Sequence, residues 1–230
     1  MALTVAQLLD DAARDLQDKG HIRWTRQELL DWFNAAQRAF AEQRPDQMAQ
    51  PRDLVLAAGW RQELPADVLT LIDITNNANA TQRRITKTDL WVLDAVAGAW
   101  RSGSPGREVQ HYMHDLGTPQ EFLVYPPVAA GTKVRAMVGV AAVDLADENG
   151  TPSVPERWMD ALRHFVLFRA WSIDAEFGGN ATIAAAHRAL YNEALAFRPR
   201  LRPPRPWPRS EPSLPSWQAS SIGALECSKP

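Results

Sequence analysis

The fold is decided by the stretch VPERWMDALRHFVLFRAWSIDAEFGGN, residues 154–180. Pro155 suits the first turn of a helix, where its missing N–H would have no intrahelical partner. Apolar residues then recur at helical spacing around most of the circumference, with a polar wedge near Arg163. Such a helix needs more than one neighbour to cover it. Gly178 and Gly179 predict a left-handed stop at its C-terminal end.

A second, alanine-rich helix follows the glycine pair and extends to Phe197. Its apolar line includes small residues such as Ala186 and Ala194. Small side chains allow two antiparallel helices to approach closely. Residues 151–197 therefore predict a C-terminal helical hairpin.

The first fifty residues predict another helical hairpin. Thr4 with Gln7, and Thr25 with Glu28, match the capping-box pattern at two helix starts. Apolar residues at helical spacing follow each pattern, and Gly20 separates the two helices. We therefore interpret residues 1–50 as an amphipathic N-terminal helical hairpin.

Residues 51–150 have the short apolar runs and turn residues of β-structure. Runs at 53–57 and 60–64 flank Gly59 and predict a β-hairpin. Residues 132–143 alternate, with valines and an alanine on one face. The predicted fold class is α+β. The N- and C-terminal hairpins close a four-helix bundle, and residues 51–150 form a β-rich insertion that projects from it.

The last segment, residues 198–230, is named the arm. It contains eight of the 17 prolines and too few apolar residues for a core, so an extended, polyproline-like conformation is expected. It carries a net charge of +4, whereas residues 1–197 carry −6. A basic arm on an acidic body indicates binding to a separate partner, and we favour a protein over nucleic acid. The candidate contacts are Arg198, Arg200, Arg202, Arg205, Trp207, Leu214, Trp217, Ile222 and Leu225.

Several classes of function find no support in the sequence. No apolar run approaches the ~20 residues needed to span a bilayer, and no signal peptide is evident. The single cysteine, Cys227, excludes an intrachain disulfide framework and a CxxC metal site. GxGxxG, GxxxxGK(S/T), GxSxG and HExxH are absent. No catalytic residue, metal ligand or cofactor is predicted, and a reducing, cytosolic origin fits.

Arg169 lies within the apolar side of the helix that follows Pro155. A charge in that position must be paired, for example with Glu176, or reach an edge of the apolar side. A structural ion pair is one interpretation, and a contact between subunits is the other. The candidates for a subunit interface are Trp158, Phe165, Phe168, Arg169 and Trp171.

Four stretches together resemble the phage head–tail adaptor proteins, ring-forming connectors related to the tail tubular protein A of short-tailed phages. The stretches are WTRQELLDWFNAA (24–36), ELPADVLTLIDI (63–74), FLVYPPV (122–128) and VPERWMDAL (154–162). Their order and spacing match over residues 3–197. Each stretch alone is mainly a pattern of core and turn residues, and their combination carries the resemblance.

The resemblance implies a non-enzymatic virion protein, made in the host cytoplasm, that forms a ring of twelve copies. Such a ring binds the portal protein through the arm and a tail or nozzle protein through the β-rich insertion. DNA passes through its channel without sequence-specific binding, and no membrane is involved. Three alternatives remain: a nucleic-acid-binding protein that uses the basic arm, an enzyme with His111, His114 and Asp115 at its site, and a host-derived regulatory helical domain.

Overall fold

The computed structural model describes residues 3–79, 81–173 and 178–196. Within these residues the chain forms five α-helices, namely α1 (Val5–Asp15), α2 (Arg26–Gln43), α3 (Leu90–Val96), α4 (Met159–Ile173) and α5 (Gly178–Ala196). Short 3-10 helices span Pro45–Met48, Trp100–Ser102 and Glu156–Trp158. No helix in these three ranges has the length and apolar character needed to cross a membrane.

Seven strands form two sheets in the same residues. The strands are β1 (Ala49–Val55), β2 (Gly59–Glu63), β3 (Val68–Asn77), β4 (Thr86–Lys87), β5 (His111–Met113), β6 (Glu121–Val128) and β7 (Lys133–Val140). The first sheet has the order β1-β7-β3 and is antiparallel throughout. The second has the order β2-β6-β5-β4, in which β4 is parallel to β5.

Both predicted capping boxes are confirmed. The Thr4 side chain accepts the Gln7 N–H, and the Gln7 side chain accepts the Thr4 N–H at 3.0 Å. Thr25 and Glu28 make the same reciprocal pair at the start of α2. These bonds satisfy N–H groups that otherwise have no partner in the first turn, and each cap contributes about 1 kcal/mol. Local sequence therefore determines where α1 and α2 begin.

The predicted four-helix bundle with a projecting β-rich insertion is wrong. Of the residues that the structure describes, 42% lie in helices and 24% in strands, so the fold is mixed. Helix α4 packs against α1, α2 and α5, but the sheets share its hydrophobic core. One continuous cluster of buried side chains includes Phe33 and Leu162 from helices together with Ile74, Val124 and Val138 from strands. Helices and strands therefore bury their apolar side chains in one shared core.

The first sheet meets the helical layer at Gly139 of β7. A Cβ atom added there would lie 2.8 Å from the Pro45 carbonyl oxygen, closer than real Cβ contacts allow. Pro45 follows the end of α2, so glycine at 139 lets the sheet backbone approach the chain that leaves the helix. This close approach joins the two layers into one core.

The predicted hairpin of residues 53–57 with 60–64 is also wrong. Strand β1 pairs with β7 in the first sheet, whereas β2 pairs with β6 in the second. Buried Gln62 holds the connection by bonding both backbone groups of Ala57, at 2.8 and 3.0 Å. Gly59 adopts a φ of +110°, which favours glycine. The turn therefore moves the chain from one sheet to the other.

The glycine pair has a different role from the one predicted. Gly178 and Gly179 open α5 and lie in its first turn, so they do not form a left-handed stop for α4. The end of α4 is described to Ile173. Glycine is tolerated in the first turn because its N–H groups have no intrahelical partner there in any case.

Candidate interaction surfaces

A groove of about 1000 Å³ lies between α3, strand β2 and the turn that joins β5 to β6. We name it the acidic groove and define it by Trp60, Asp89, Trp91, Asp115, Leu116 and Glu121, which all line it. The turn is shaped by Asp115, whose carboxylate accepts the Gly117 N–H at 2.9 Å. This local bond allows Leu116 to be presented at the turn, where it is 81% exposed.

The groove rests on a small hydrophobic cluster separate from the main core. Leu93, Trp100 and Met113 are buried in it, and Trp60 packs against them. The rings of Trp60 and Trp100 meet edge to face at 5.7 Å between centroids. The Arg101 guanidinium lies 4.6 Å from the Trp100 ring centroid. These contacts fix the wall of the groove before any partner binds.

Large apolar side chains are exposed beside this wall. Trp91, on the outer side of α3, is 72% exposed, and Leu90 next to it is 39% exposed. Together with Leu116 they form an apolar patch around the groove. Exposed apolar patches that are rimmed by polar groups mark interaction sites in soluble proteins.

Carboxylates outnumber cations along the groove. Asp89, Asp94, Asp115 and Glu121 line it, against Arg61 and Lys87. Two of these carboxylates are already paired. Glu121 receives three hydrogen bonds from Arg61, at 2.9, 2.7 and 2.6 Å, and Asp94 receives two from Arg101, at 2.8 and 3.2 Å. The Arg101 bonds, with a further bond from Trp100, lower the pKa of Asp94. The groove therefore presents net negative charge to a partner.

Sequence reasoning missed this groove. Its residues come from a helix, a turn and two strands, so no local motif contains them. The available sequence signal was Leu116, a large apolar residue inside the polar turn HDLGT (114–118). The exposure of Trp91 is seen only in the structure. Apolar residues in such positions indicate a surface that is covered by something else.

The predicted subunit-interface residues lie in different surroundings on and near α4. Trp158 is 9% exposed and packs against Phe40 at 5.2 Å between ring centroids. Little of its surface is left for another subunit. Phe165 is half-buried. Its ring centroid lies 5.9 Å from that of Phe168 and 5.2 Å from that of Tyr191.

The remaining candidates leave more surface free. Phe168 and Trp171 are half-buried, and the Arg188 guanidinium lies 5.3 Å from the Phe168 ring centroid. Arg169 is exposed and therefore reaches water without needing a buried partner. Phe168, Arg169 and Trp171 form a mixed aromatic and cationic surface on α4, which we name the α4 surface.

A histidine pair joins α4 to α5. The Nδ1 atoms of His164 and His187 lie 3.1 Å apart, so one ring donates to the other when both are neutral. Burial, and secondarily the neighbouring His164, lower the pKa of His187. Arg163 lies beside the pair and contacts Asp160 at 3.0 Å and Asp15 at 3.5 Å.

A buried arginine ties the end of α5 to the end of α2. Arg44 is 7% exposed and donates to the Leu195 carbonyl at 2.5 Å. It also makes two bonds to Asp46, at 2.9 and 3.0 Å, and these lower the pKa of Asp46 to about 2. Since Leu195 lies in the last turn of α5, this contact fixes the helix end that precedes the arm.

The three residues of the enzyme alternative have structural contacts. The ring of His111 stacks against Tyr125, His114 lies 3.2 Å from the Pro119 carbonyl oxygen, and Asp115 shapes its turn. Within the part of the chain that the structure describes, no three His, Cys, Asp or Glu side chains are arranged to hold a metal ion.

The predicted contacts of the arm lie outside the described residues. They are Arg198, Arg200, Arg202, Arg205, Trp207, Leu214, Trp217, Ile222 and Leu225. Cys227 lies in the same segment. Their roles remain predictions from the sequence.

Comparison with known proteins gives one family. The sequence model of the SU10 adaptor protein family matches residues 3–209. The match includes all helices and strands described above and continues through the arginine- and proline-rich start of the arm. No curated protein matches the chain.

Proposed function

The chain belongs to the SU10 adaptor protein family, and from this premise we propose that it forms a ring that joins the portal vertex of a phage head to the tail. Family membership supports a structural role in a phage virion, as a head–tail adaptor, and implies that the role is not enzymatic. The ring, its partners and its channel are proposals that go further. The family match over residues 3–209 is the observation that carries them.

The proposed ring has twelve copies and surrounds the path of DNA. The number twelve and the relation to tail tubular protein A rest on the four resembling stretches. DNA would pass through the channel without sequence-specific binding. The acidic charge of residues 1–197 supports this, because a wall that attracts DNA would slow its passage.

Neighbouring copies would pack through the α4 surface. Phe168 and Trp171 are half-buried within one chain, so each has apolar area that a second copy could cover. Arg169 beside them could pair with a carboxylate of the neighbour. An interface of aromatic residues and arginine is typical of strong subunit contacts.

The arm would bind the portal protein, and the strand-rich region would face the next tail component. Arg44 supports the first assignment, because it anchors the end of α5 at Leu195. An arm that leaves from a fixed helix end transmits its binding energy to the folded body. The anchors would be the arginines and Trp207 in the first half of the arm and Leu214, Trp217, Ile222 and Leu225 in the second.

Truncation tests the portal assignment. We expect a variant that lacks residues 198–230 to keep the far-ultraviolet spectrum expected for residues 1–197 and to lose binding to purified portal rings. The control is a variant with the same residues in scrambled order, which keeps the charge and composition. Full portal affinity of the truncated chain would show that the arm is not the portal-binding segment.

The alternative function, nucleic-acid binding by the basic arm, has a separate readout. Binding through arginine–phosphate contacts weakens steeply as salt rises, because each contact releases counterions. We expect little affinity of the purified protein for duplex DNA at physiological salt. Tight DNA binding with a steep salt dependence, lost on removal of the arm, would favour the alternative.

A further inference from the structure

We propose that the acidic groove binds the start of the arm, residues 198–209, from a neighbouring copy of this chain. The inference rests on the proposed function, because it requires copies that lie side by side. It adds a second contact between subunits, distinct from the α4 surface. On this proposal the arginines and Trp207 of residues 198–209 contact the neighbouring copy instead of the portal. The portal contacts are then Leu214, Trp217, Ile222 and Leu225 in the second half of the arm.

The chemistry of the segment suits an aromatic groove. Residues 198–209 read RPRLRPPRPWPR and contain five arginines, five prolines and no acidic residue. Such a sequence favours the polyproline II conformation, which is extended before it binds. A segment that is already extended loses less conformational entropy on docking than a flexible one.

The apolar wall of the groove matches the shape of such a segment. Trp60 forms part of the fixed wall, and Trp91 and Leu116 project beside it with most of their surface exposed. Proline-rich segments bind in grooves lined by aromatic side chains, where proline rings pack on the flat ring faces. The exposed area of Trp91 would then be covered by Pro203, Pro204 or Trp207.

Charge complementarity favours the same occupant. Among the described residues, Asp89 and Asp115 have no ion-pair partner, although both line the groove. Arginine binds carboxylates through charge-assisted hydrogen bonds, and the segment offers five guanidinium groups. An acidic segment from another protein would be repelled by the same carboxylates. The wall is also fixed in advance by the Trp60–Trp100 contact, so binding requires little rearrangement.

Disulfide trapping between two versions of the full chain tests the proposal. Both versions carry Cys227→Ser, which removes the single native thiol. One version then carries Thr118→Cys in the groove, and the other carries Ser210→Cys directly after the docking segment. Thr118 is exposed, so its replacement should not disturb the fold. Because each chain holds one thiol, a disulfide between the two versions can form only between different copies.

The matched control places the groove thiol elsewhere. Ala130→Cys lies in the exposed turn between β6 and β7, outside the groove. In mixed assemblies on portal rings, we expect the Thr118→Cys and Ser210→Cys chains to cross-link about tenfold faster than the Ala130→Cys and Ser210→Cys chains, because docking raises the local thiol concentration. Adding Trp91→Ala or Asp89→Lys to the Thr118→Cys chain should lower its cross-linking rate with the Ser210→Cys chain toward the rate of the Ala130→Cys control.

Mass measurement of the same assemblies separates two kinds of failure. Several copies on the portal with equal cross-linking rates in the two mixtures overturn the groove proposal and leave the ring intact. Absence of any assembly on the portal contradicts the proposed function, and the groove proposal fails with it. Fast cross-linking that is unchanged by Trp91→Ala and Asp89→Lys also overturns the proposal, because the groove residues would then have no part in it.

Discussion

The side chain of Asn77 bonds both backbone groups of Val109: its Oδ1 accepts the Val109 N–H at 2.8 Å, and its Nδ2 donates to the Val109 carbonyl at 2.8 Å. Asn77 ends β3 in the first sheet, and Val109 lies just before β5 of the second. Asn77 is 0% exposed, so water cannot replace these bonds. One buried amide therefore links the two sheets.

Replacing Asn77 should destabilise the whole fold. Asn77→Ala leaves a buried N–H and a buried carbonyl of Val109 without partners, so we expect the free energy of unfolding to fall by about 2–4 kcal/mol. Urea denaturation measures this change in the free energy of unfolding. Asn149→Ala is the control, because Asn149 is exposed and its replacement should change stability by less than about 0.5 kcal/mol. Equal effects of the two variants would contradict a structural role for the Asn77 amide.

Replacing Arg44 should loosen the end of α5. Arg44→Met leaves the Leu195 carbonyl without its donor, and we expect a loss of about 1–3 kcal/mol. Hydrogen exchange should become faster in the last turn of α5. Arg52→Met is the control, because Arg52 pairs with Asp67 at the surface and such pairs contribute about 1 kcal/mol or less. Unchanged exchange at the α5 end in Arg44→Met would show that the contact does not anchor the helix.

Stability should depend on pH through the histidine pair. The folded-state pKa of His187 lies below its ordinary value of 6.5, chiefly because of burial. As the pH falls below about 6.5, the unfolded chain therefore binds a proton more readily than the folded chain. The folded state loses stability until the pH passes the lower folded-state pKa. The neighbouring His164 and the charge of Arg163 lower the pKa of His187, whereas Asp15 raises it. Asp160 contacts both Arg163 and His164.

The variant His187→Gln isolates this effect. Between pH 7 and pH 5, we expect its free energy of unfolding to fall less than that of the original chain. Denaturation at several pH values in constant salt provides the comparison. His114→Gln is the control, since His114 lies at the groove, away from the α4–α5 contact. If His187→Gln keeps the full pH slope, the pair does not control stability in this range.

The α4 surface makes a prediction about assembly. Arg169→Glu changes an exposed residue, so the free energy of unfolding of a single copy should change by less than about 0.5 kcal/mol. A buried charge reversal between subunits costs several kcal/mol, so assembly on the portal should fail. Arg107→Glu, at another exposed position, should assemble normally. Normal assembly of the Arg169→Glu variant would show that Arg169 does not lie in the subunit interface.

Local features of this fold could be predicted from the sequence, and distant pairings could not. Thr4 and Thr25 act within their own helical turns, so their spacing to Gln7 and Glu28 was sufficient. Strand β1 finds its partner β7 across most of the strand-rich region, and its own sequence does not specify that partner. Alternation showed that residues 132–143 have a buried face. It did not show that this face packs into the same hydrophobic core as α4.

The same contrast between local and distant features explains why the arm could be predicted from the sequence and the acidic groove could not. The basic, proline-rich arm is defined by composition, which can be read directly. The acidic groove needs Asp89, Trp91 and Leu116 to meet in space, and only the folding of the second sheet brings them together. Leu116, an apolar residue inside a polar turn, was the sequence signal for such a site.

The most direct test of the central claim is the mass of the purified protein with and without portal rings. Native mass spectrometry can count the copies. We expect the portal mass to increase by the mass of a whole number of adaptor chains that forms a closed ring. The resemblance to head–tail adaptor proteins implies twelve chains. A portal mass that stays unchanged in excess adaptor protein would contradict the claim that this chain is a head–tail adaptor that forms a ring.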